Sequence, residues 1–231
     1  MASLSIIVPV LDEEARIAAA LQALAPFRAR GAEVIVADGG SRDRTVEIAR
    51  PLADRVIAAP RGRGAQMNAG AAASTGGVLL FLHADTTLPP EADVLALQGL
   101  RQSARQWGRF DVRIEGKSPL LPLISGFMNW RSLVTGIATG DQAMFATRAA
   151  FDAAGGFPDI PLMEDIALSR RLKRVSRPLC LAARVIVSGR RFDERGAIRM
   201  ILLMWRLRLE FWLGVSPATL ARRYGYVPRD D

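Results

Sequence analysis

Four short runs in the first third of the chain are apolar without alternating: Leu4 to Val10 (LSIIVPV), Glu33 to Ala37 (EVIVA), Val56 to Ala58 and Val78 to His83 (VLLFLH). A strand covered on one face alternates between apolar and polar residues. Unbroken runs belong instead to strands buried on both faces of a parallel sheet. The segments between them read as helices. Asp12 is placed to cap the first, with Glu13 and Glu14 in its opening turn and Ile17, Leu21 and Leu24 along one face. Further helices are predicted over 43–53 and 66–73. This alternation predicts an α/β domain with a mostly parallel, Rossmann-like sheet and helices on both faces.

Beyond Pro89-Pro90 the pattern loosens. A helix is predicted over Glu91 to Gln102, a strand over Arg109 to Ile114, and a short strand over Gln142 to Ala146. Met163 to Lys173 reads as a helix with an acidic start and a basic end. Leu120 to Ala138 is apolar but interrupted by Pro122, Gly126, Arg131 and Gly136. Ala197 to Val215 (AIRMILLMWRLRLEFWLGV) is the most apolar part of the chain. Wound as a helix, it gathers Arg199, Arg206 and Glu210 near one face and Ile201, Met204, Trp205, Leu209 and Trp212 over the rest. Such a helix suits a bilayer interface, and covering the core or a homodimer partner are the alternatives. The expected organisation is one domain over 1–195 and a helical extension over 196–231.

Composition narrows the chemistry. A single cysteine, Cys180, and a single histidine leave no internal disulfide and no Cys/His zinc cluster, which fits a reducing cytoplasm. A net charge of +8 points to a phosphate-rich substrate or to the anionic inner face of a cell membrane. The arginines are dispersed and few aromatics lie among them, which argues against nucleic acid. No secretory signal and no spanning helix are expected from the apolar pattern.

Ligands of open α/β sheets bind beyond the carboxyl ends of the strands. Asp38 and Asp85 fall just past two such ends. Asp38 can accept from a pyrimidine N–H or a ribose hydroxyl, or it can cap a helix. Arg61-Gly62-Arg63-Gly64 is a flexible cationic loop before a helix, suited to a diphosphate, although it lacks the Walker pattern. Asp85 offers a hard oxygen ligand for a divalent cation. Glu164-Asp165 can serve as a general base or simply favour the helix dipole. Arg190 and Arg191 can stabilise developing diphosphate charge.

The blocks SIIVPVLDEE, VIVADGGSRDRT, RGRGAQMNAGAAASTGGVLLFLHADT, GDQAMF and MEDIALSRRL follow one another over residues 3 to 175. In that order they resemble the family 2 glycosyltransferases, nearest a small bacterial subgroup whose metal motif reads HAD. The resemblance implies the GT-A fold, a nucleotide-diphosphate sugar of the UDP type, Mg2+ or Mn2+, and inversion at the anomeric carbon. It assigns Pro9, Leu11, Glu13 and Asp38 to the base, and Arg63 and Asn68 to the donor side. Asp85, with Ala84 beside it, takes the metal position, and His83 replaces the first acid of the usual Asp-x-Asp. Asp165 becomes the base with Glu164 beside it, and Asp141 lies on the acceptor side. Arg191 stands where relatives carry a histidine or an Arg/Trp motif. A lipid or lipid-linked acceptor would explain both apolar segments. The competing readings are an inactive, membrane-bound scaffold and a nucleotidyltransferase, the latter disfavoured by the acidic LDEEAR after the first strand.

Overall fold

A computed structural model describes residues 3–226. The first half runs β1 (Leu4–Val10), α1 (Glu14–Gln22), α2 (Ala25–Ala29), β2 (Glu33–Asp38), α3 (Thr45–Ala49), β3 (Arg55–Ala58), α4 (Arg63–Ala73) and β4 (Val78–Phe81). The second runs β5 (Thr86–Thr87), α5 (Ala92–Gln102), β6 (Trp107–Glu115), α6 (Leu121–Thr135), a 3-10 turn (Gly140–Gln142), β7 (Phe145–Thr147), α7 (Arg148–Ala153) and α8 (Glu164–Val175). It closes with β8 (Leu179–Ser188), α9 (Arg190–Arg195), α10 (Ala197–Trp212) and α11 (Pro217–Tyr224).

The strands form one sheet in the order β3-β2-β1-β4-β7-β6-β8-β5. β3, β2, β1 and β4 are mutually parallel, and so are β6 and β8. β7 runs against both its neighbours and β5 against β8, so the sheet is mixed beyond β4. Burial on both faces explains the runs of β1, β2 and β4, whereas β3 is an edge strand and only half-buried. Ile6, Val8 and Val10 of β1 enter the core beneath α1, α2 and α5, whereas Ile7 enters a second core with Met67, Phe151 and Leu172. Buried Gln66 ties the ends of β1 and β2 together by donating to the Val10 and Ala37 carbonyls at 2.7 and 2.8 Å.

Several local expectations change. Asp12 does not cap α1: it sits in the left-handed region at φ 53° and accepts from the Arg42 amide at 2.7 Å. The loops after β1 and β2 cap each other instead. The amides of Asp12, Glu13 and Glu14 donate to Ser41 Oγ, Thr45 Oγ1 and Asp43 Oδ2, while Glu14 accepts from the Arg44 amide. Spending Ser41 and Asp43 in this way delays α3 to Thr45. The strand expected from Gln142 begins at Phe145, because Gly140–Gln142 winds into a 3-10 turn ended by left-handed Ala143. The segment after 196 is built into the fold. Leu207, Leu220 and Ala221 share a core with Leu162, Met163 and Ile166, and Arg223 pairs with Glu210 at 2.5 Å. Residues 227–231 of the expected extension lie outside the described residues. No helix among the described residues is long and apolar enough to cross a membrane.

Candidate active site

A cleft of about 700 Å³ opens at the carboxyl ends of β1, β4 and β8. Its polar floor gathers Pro9 and Glu13 after β1, Arg63 at the start of α4, and His83, Ala84 and Asp85 after β4. From the opposite side come Asp141, Glu164, Asp165 and Arg191. Leu11, Asp38 and Asn68 do not line it. Asp38 lies just behind, buried, with its carboxylate accepting from the Gly40 and Ser41 amides and from Ser41 Oγ at 2.5 Å. Ser41 Oγ accepts in turn from the Asp12 amide, so Asp38 organises the loop beside Leu11. Asn68 is a clamp: Nδ2 donates to the Phe157 carbonyl at 2.8 Å and Oδ1 accepts from the Phe157 amide at 2.9 Å.

The acids of the far side are held by unusual backbone. Met163, which precedes α8, has φ 71°, and Ala143 after the 3-10 turn has φ 43°. Residues with side chains adopt such angles only where surroundings impose them, and they concentrate at functional sites. The Met163 turn aims Glu164 and Asp165 into the cleft. Asp165 accepts from the Gly140 amide at 2.8 Å, which fixes one carboxylate oxygen and joins α8 to the 3-10 turn. Glu164 is almost wholly buried, and burial together with neighbouring Asp165 pushes its carboxyl up to about 7 against the pull of Arg63. Asp141 behaves oppositely. Burial works to raise it, but His83, Arg63 and Arg191 prevail and hold it below the usual carboxylate range.

His83 faces Asp141, with Nδ1 3.6 Å from Oδ1, longer than a hydrogen bond. Its ring packs on Gly140, where an added Cβ would meet His83 Cε1 at 2.5 Å. Asp85 is exposed, and its carboxylate has only a long 3.4 Å contact from Thr86 Oγ1. Among the described residues no group of three acids, histidines or cysteines could hold a metal by itself. Asp85 can therefore contribute one oxygen to an ion completed by a substrate's phosphates. Arg191 donates from Nη1 to the Tyr224 hydroxyl at 2.7 Å, so α11 sets its position.

Residues 5–147 match the family described as Glycosyl transferase family 2. The chain belongs to the family 2 glycosyltransferases. A PGL/p-HBAD biosynthesis glycosyltransferase of Mycobacterium tuberculosis is 39% identical over 99 residues, which is 40% of this chain and 38% of the relative. The match thus spans well under half the length of that curated relative. Among solved structures, the chain is similar to Staphylococcus aureus TarS 1-349 in complex with UDP, at TM-score 0.65 and 19% identity over 80% of this chain and 60% of the other. It is also similar to glucosyl-3-phosphoglycerate synthase of Mycobacterium tuberculosis in complex with Mn2+, UDP and phosphoglyceric acid. That likeness has TM-score 0.64 and 21% identity over 99% of this chain and 80% of the other. The fold is accordingly that of the GT-A glycosyltransferases.

For this family 2 glycosyltransferase, three cleft residues escaped the sequence reading. Arg208 and Tyr224 line the cleft from α10 and α11, outside the ordered motifs. Met163 does so through its backbone angle, for which the sequence carries no signal. Arg208 does leave a trace: it falls in the helical row of Ile201, Met204 and Trp205, where an arginine interrupts an otherwise apolar face.

Proposed function

We propose that the chain transfers a glycosyl group from a UDP-type donor to an acceptor hydroxyl with inversion. The observation that carries this is one cleft holding Asp85 at an exposed edge and the Glu164–Asp165 pair opposite, with Arg63 and Arg191 between them in charge. The base lies along Pro9, Leu11 and Glu13, with Asp38 fixing the loop behind them. Arg63 and Arg191 attract the diphosphate. Asp85 would hold Mg2+ or Mn2+, and the ion would offset charge on the leaving group. UDP and Mn2+ in the descriptions of the structural neighbours support this donor and ion.

Asp165 takes the proton from the acceptor hydroxyl, whose oxygen then bonds to the anomeric carbon. The bond from that carbon to the diphosphate breaks on the opposite side, which inverts the configuration. Glu164 is the less accessible of the two carboxylates, being almost wholly buried where Asp165 is half-buried. His83 bears on the donor, and Asp141, which it faces, bears on the acceptor side. The acceptor is apolar in part: Leu123, Phe127, Met204 and Trp205 form the remaining wall. Around it Trp130, Leu202, Leu209 and Trp212 are all more than half exposed, a rim suited to peripheral contact of 196–215 with a bilayer.

The test is a thermal-shift panel of UDP, UDP-sugars and GDP-sugars with and without Mn2+. UDP should stabilise the protein more with Mn2+ than without, and Asp85→Ala should remove that increment. Identical shifts in both conditions would defeat the metal assignment. No shift by any nucleotide would favour the inactive scaffold.

A further inference from the structure

Three arginines lie under the surface near α6, and they are treated differently. Arg109 on β6 is fully buried, and each arm of its guanidinium is used: Nε donates to Ser132 Oγ at 3.1 Å, Nη2 to the Asn129 carbonyl at 3.1 Å, and Nη1 to Asp111. Arg131 on α6 gives only Nη1, to the Ile137 carbonyl at 3.2 Å. Its Nε and Nη2 are buried with no partner among the described residues. Arg208 on α10 is in the same state at Nε, and its side chain lines the cleft. Buried guanidinium donors are ordinarily filled, because leaving them empty forfeits their hydration with nothing in return.

The two unfilled arginines also repel each other. Burial and then the charge of Arg208 bring Arg131 down to about 10, while Asp165 opposes them; burial likewise lowers Arg208 against Asp165 and Asp141. Asp165 is the carboxylate common to both, and its oxygens already accept from the Gly140 and Ile166 amides. Arg208 thus faces the cleft with a spare donor, and Arg131 lies behind the lining with two more. Next to them, Phe127 stacks on Trp205 with centroids 5.5 Å apart, joining α6 to α10 in an apolar wall.

We propose that Arg131 and Arg208 form an anion subsite for the acceptor, which is an amphiphile. Its phosphate or carboxylate meets the Arg208 guanidinium, which Arg131 backs, and its apolar part runs along the Phe127–Trp205 wall. The inference deepens the transferase reading by naming the chemistry of the acceptor. No part of it depends on the donor or the metal.

Dodecyl phosphate, dodecanol and inorganic phosphate serve as probes with the full chain, without donor, read by calorimetry below the micelle concentration. Dodecyl phosphate should bind about ten-fold more tightly than either of the others. Arg208→Met and Arg131→Met should each lose that preference while binding dodecanol as before, and Arg208→Lys should keep part of it. Exposed Arg50→Gln removes the same charge elsewhere and should change nothing. Equal affinity for dodecyl phosphate and dodecanol, or a preference that survives both methionine variants, would overturn the subsite. Inorganic phosphate matching dodecyl phosphate would overturn the amphiphile. Failure here leaves the transferase reading standing, since that reading depends on the nucleotide shifts and on turnover by Asp165→Asn.

Discussion

In the half built from β1 to β4, the polar groups beneath the surface are paired. Gln66 bridges two carbonyls, Asp38 accepts three hydrogen bonds from its own turn, and Asn68 holds both ends of the Phe157 peptide unit. Across the cleft, Arg131 and Arg208 leave buried donors unfilled, and the neighbouring faces of α6 and α10 expose Trp130, Leu133, Leu202 and Trp212. Among the described residues none of the unfilled buried side-chain groups lies in the first half, although Asn68 and Arg30 find their partners in the second, in Phe157 and Asp93. The second carries the deficits that a bound partner would make good, and it lies mostly beyond the residues that match the family.

The sharpest way to break this contrast is catalytic. Asp165→Asn should lower kcat by about 10²- to 10⁴-fold while the Mn2+-dependent UDP shift is retained. An unchanged rate would remove Asp165 from its role. Next in size is the stability of the arginines. Arg109→Met strands Asp111 and Ser132 and should cost about 3–5 kcal/mol in denaturant unfolding, whereas Arg131→Met should cost nothing or stabilise. Equal losses would erase the distinction between filled and unfilled sites.

Glu164 offers a comparable test with pH as the variable. Its carboxyl is raised from 4.5 to about 7 in the folded protein, so the folded state holds this proton more tightly than the unfolded one. The group costs nothing below pH 4.5, and its penalty grows as the pH rises to about 7 and then levels off. Glu164→Gln should therefore gain up to about 3 kcal/mol at pH 8 relative to its effect at pH 4. A pH-independent effect would mean that the site does not hold that proton.

On the closed side, Gly70→Ala would put a Cβ 2.4 Å from Ile7 Cγ2, where α4 rests on β1. Despite alanine's better helix propensity it should destabilise by about 1–3 kcal/mol. The smallest expected change is on the open side. Trp212→Ser should leave unfolding within about 0.5 kcal/mol of the parent yet weaken flotation with anionic liposomes. Unaltered flotation, or a dimer in light scattering that the substitution disperses, would turn that face from lipid to a second copy.

The two halves also differ in how far they could be read from residues alone. The strands of the first half announce themselves, because burial on both faces forces an unbroken apolar run such as SIIVPV. The acids after β4 and at α8 are legible through their place at strand and helix ends. Asp12 was misassigned because a cap three residues from a helix and a cap borrowed from another loop look alike in one dimension. Asn68 misled for a related reason: an amide at a motif position reads as a contact to substrate, yet here both its atoms are used by Phe157. Arg131 and Arg208 needed the structure, since whether a guanidinium is filled depends on neighbours 20 or 33 residues distant, as Arg109 with Asn129 and Arg191 with Tyr224 illustrate.

The bond from Arg191 to Tyr224 has a consequence for how the protein is made. Chains emerge from the ribosome N-terminus first, so β1–β4 are made before the elements that complete their cores and the cleft. The guanidinium of Arg191 acquires its anchor only when α11 has been translated and has docked. During synthesis there is thus an interval in which the strands that carry the cleft's floor exist and Tyr224, part of its wall, does not. Attachment of α11 is what completes the wall of the cleft.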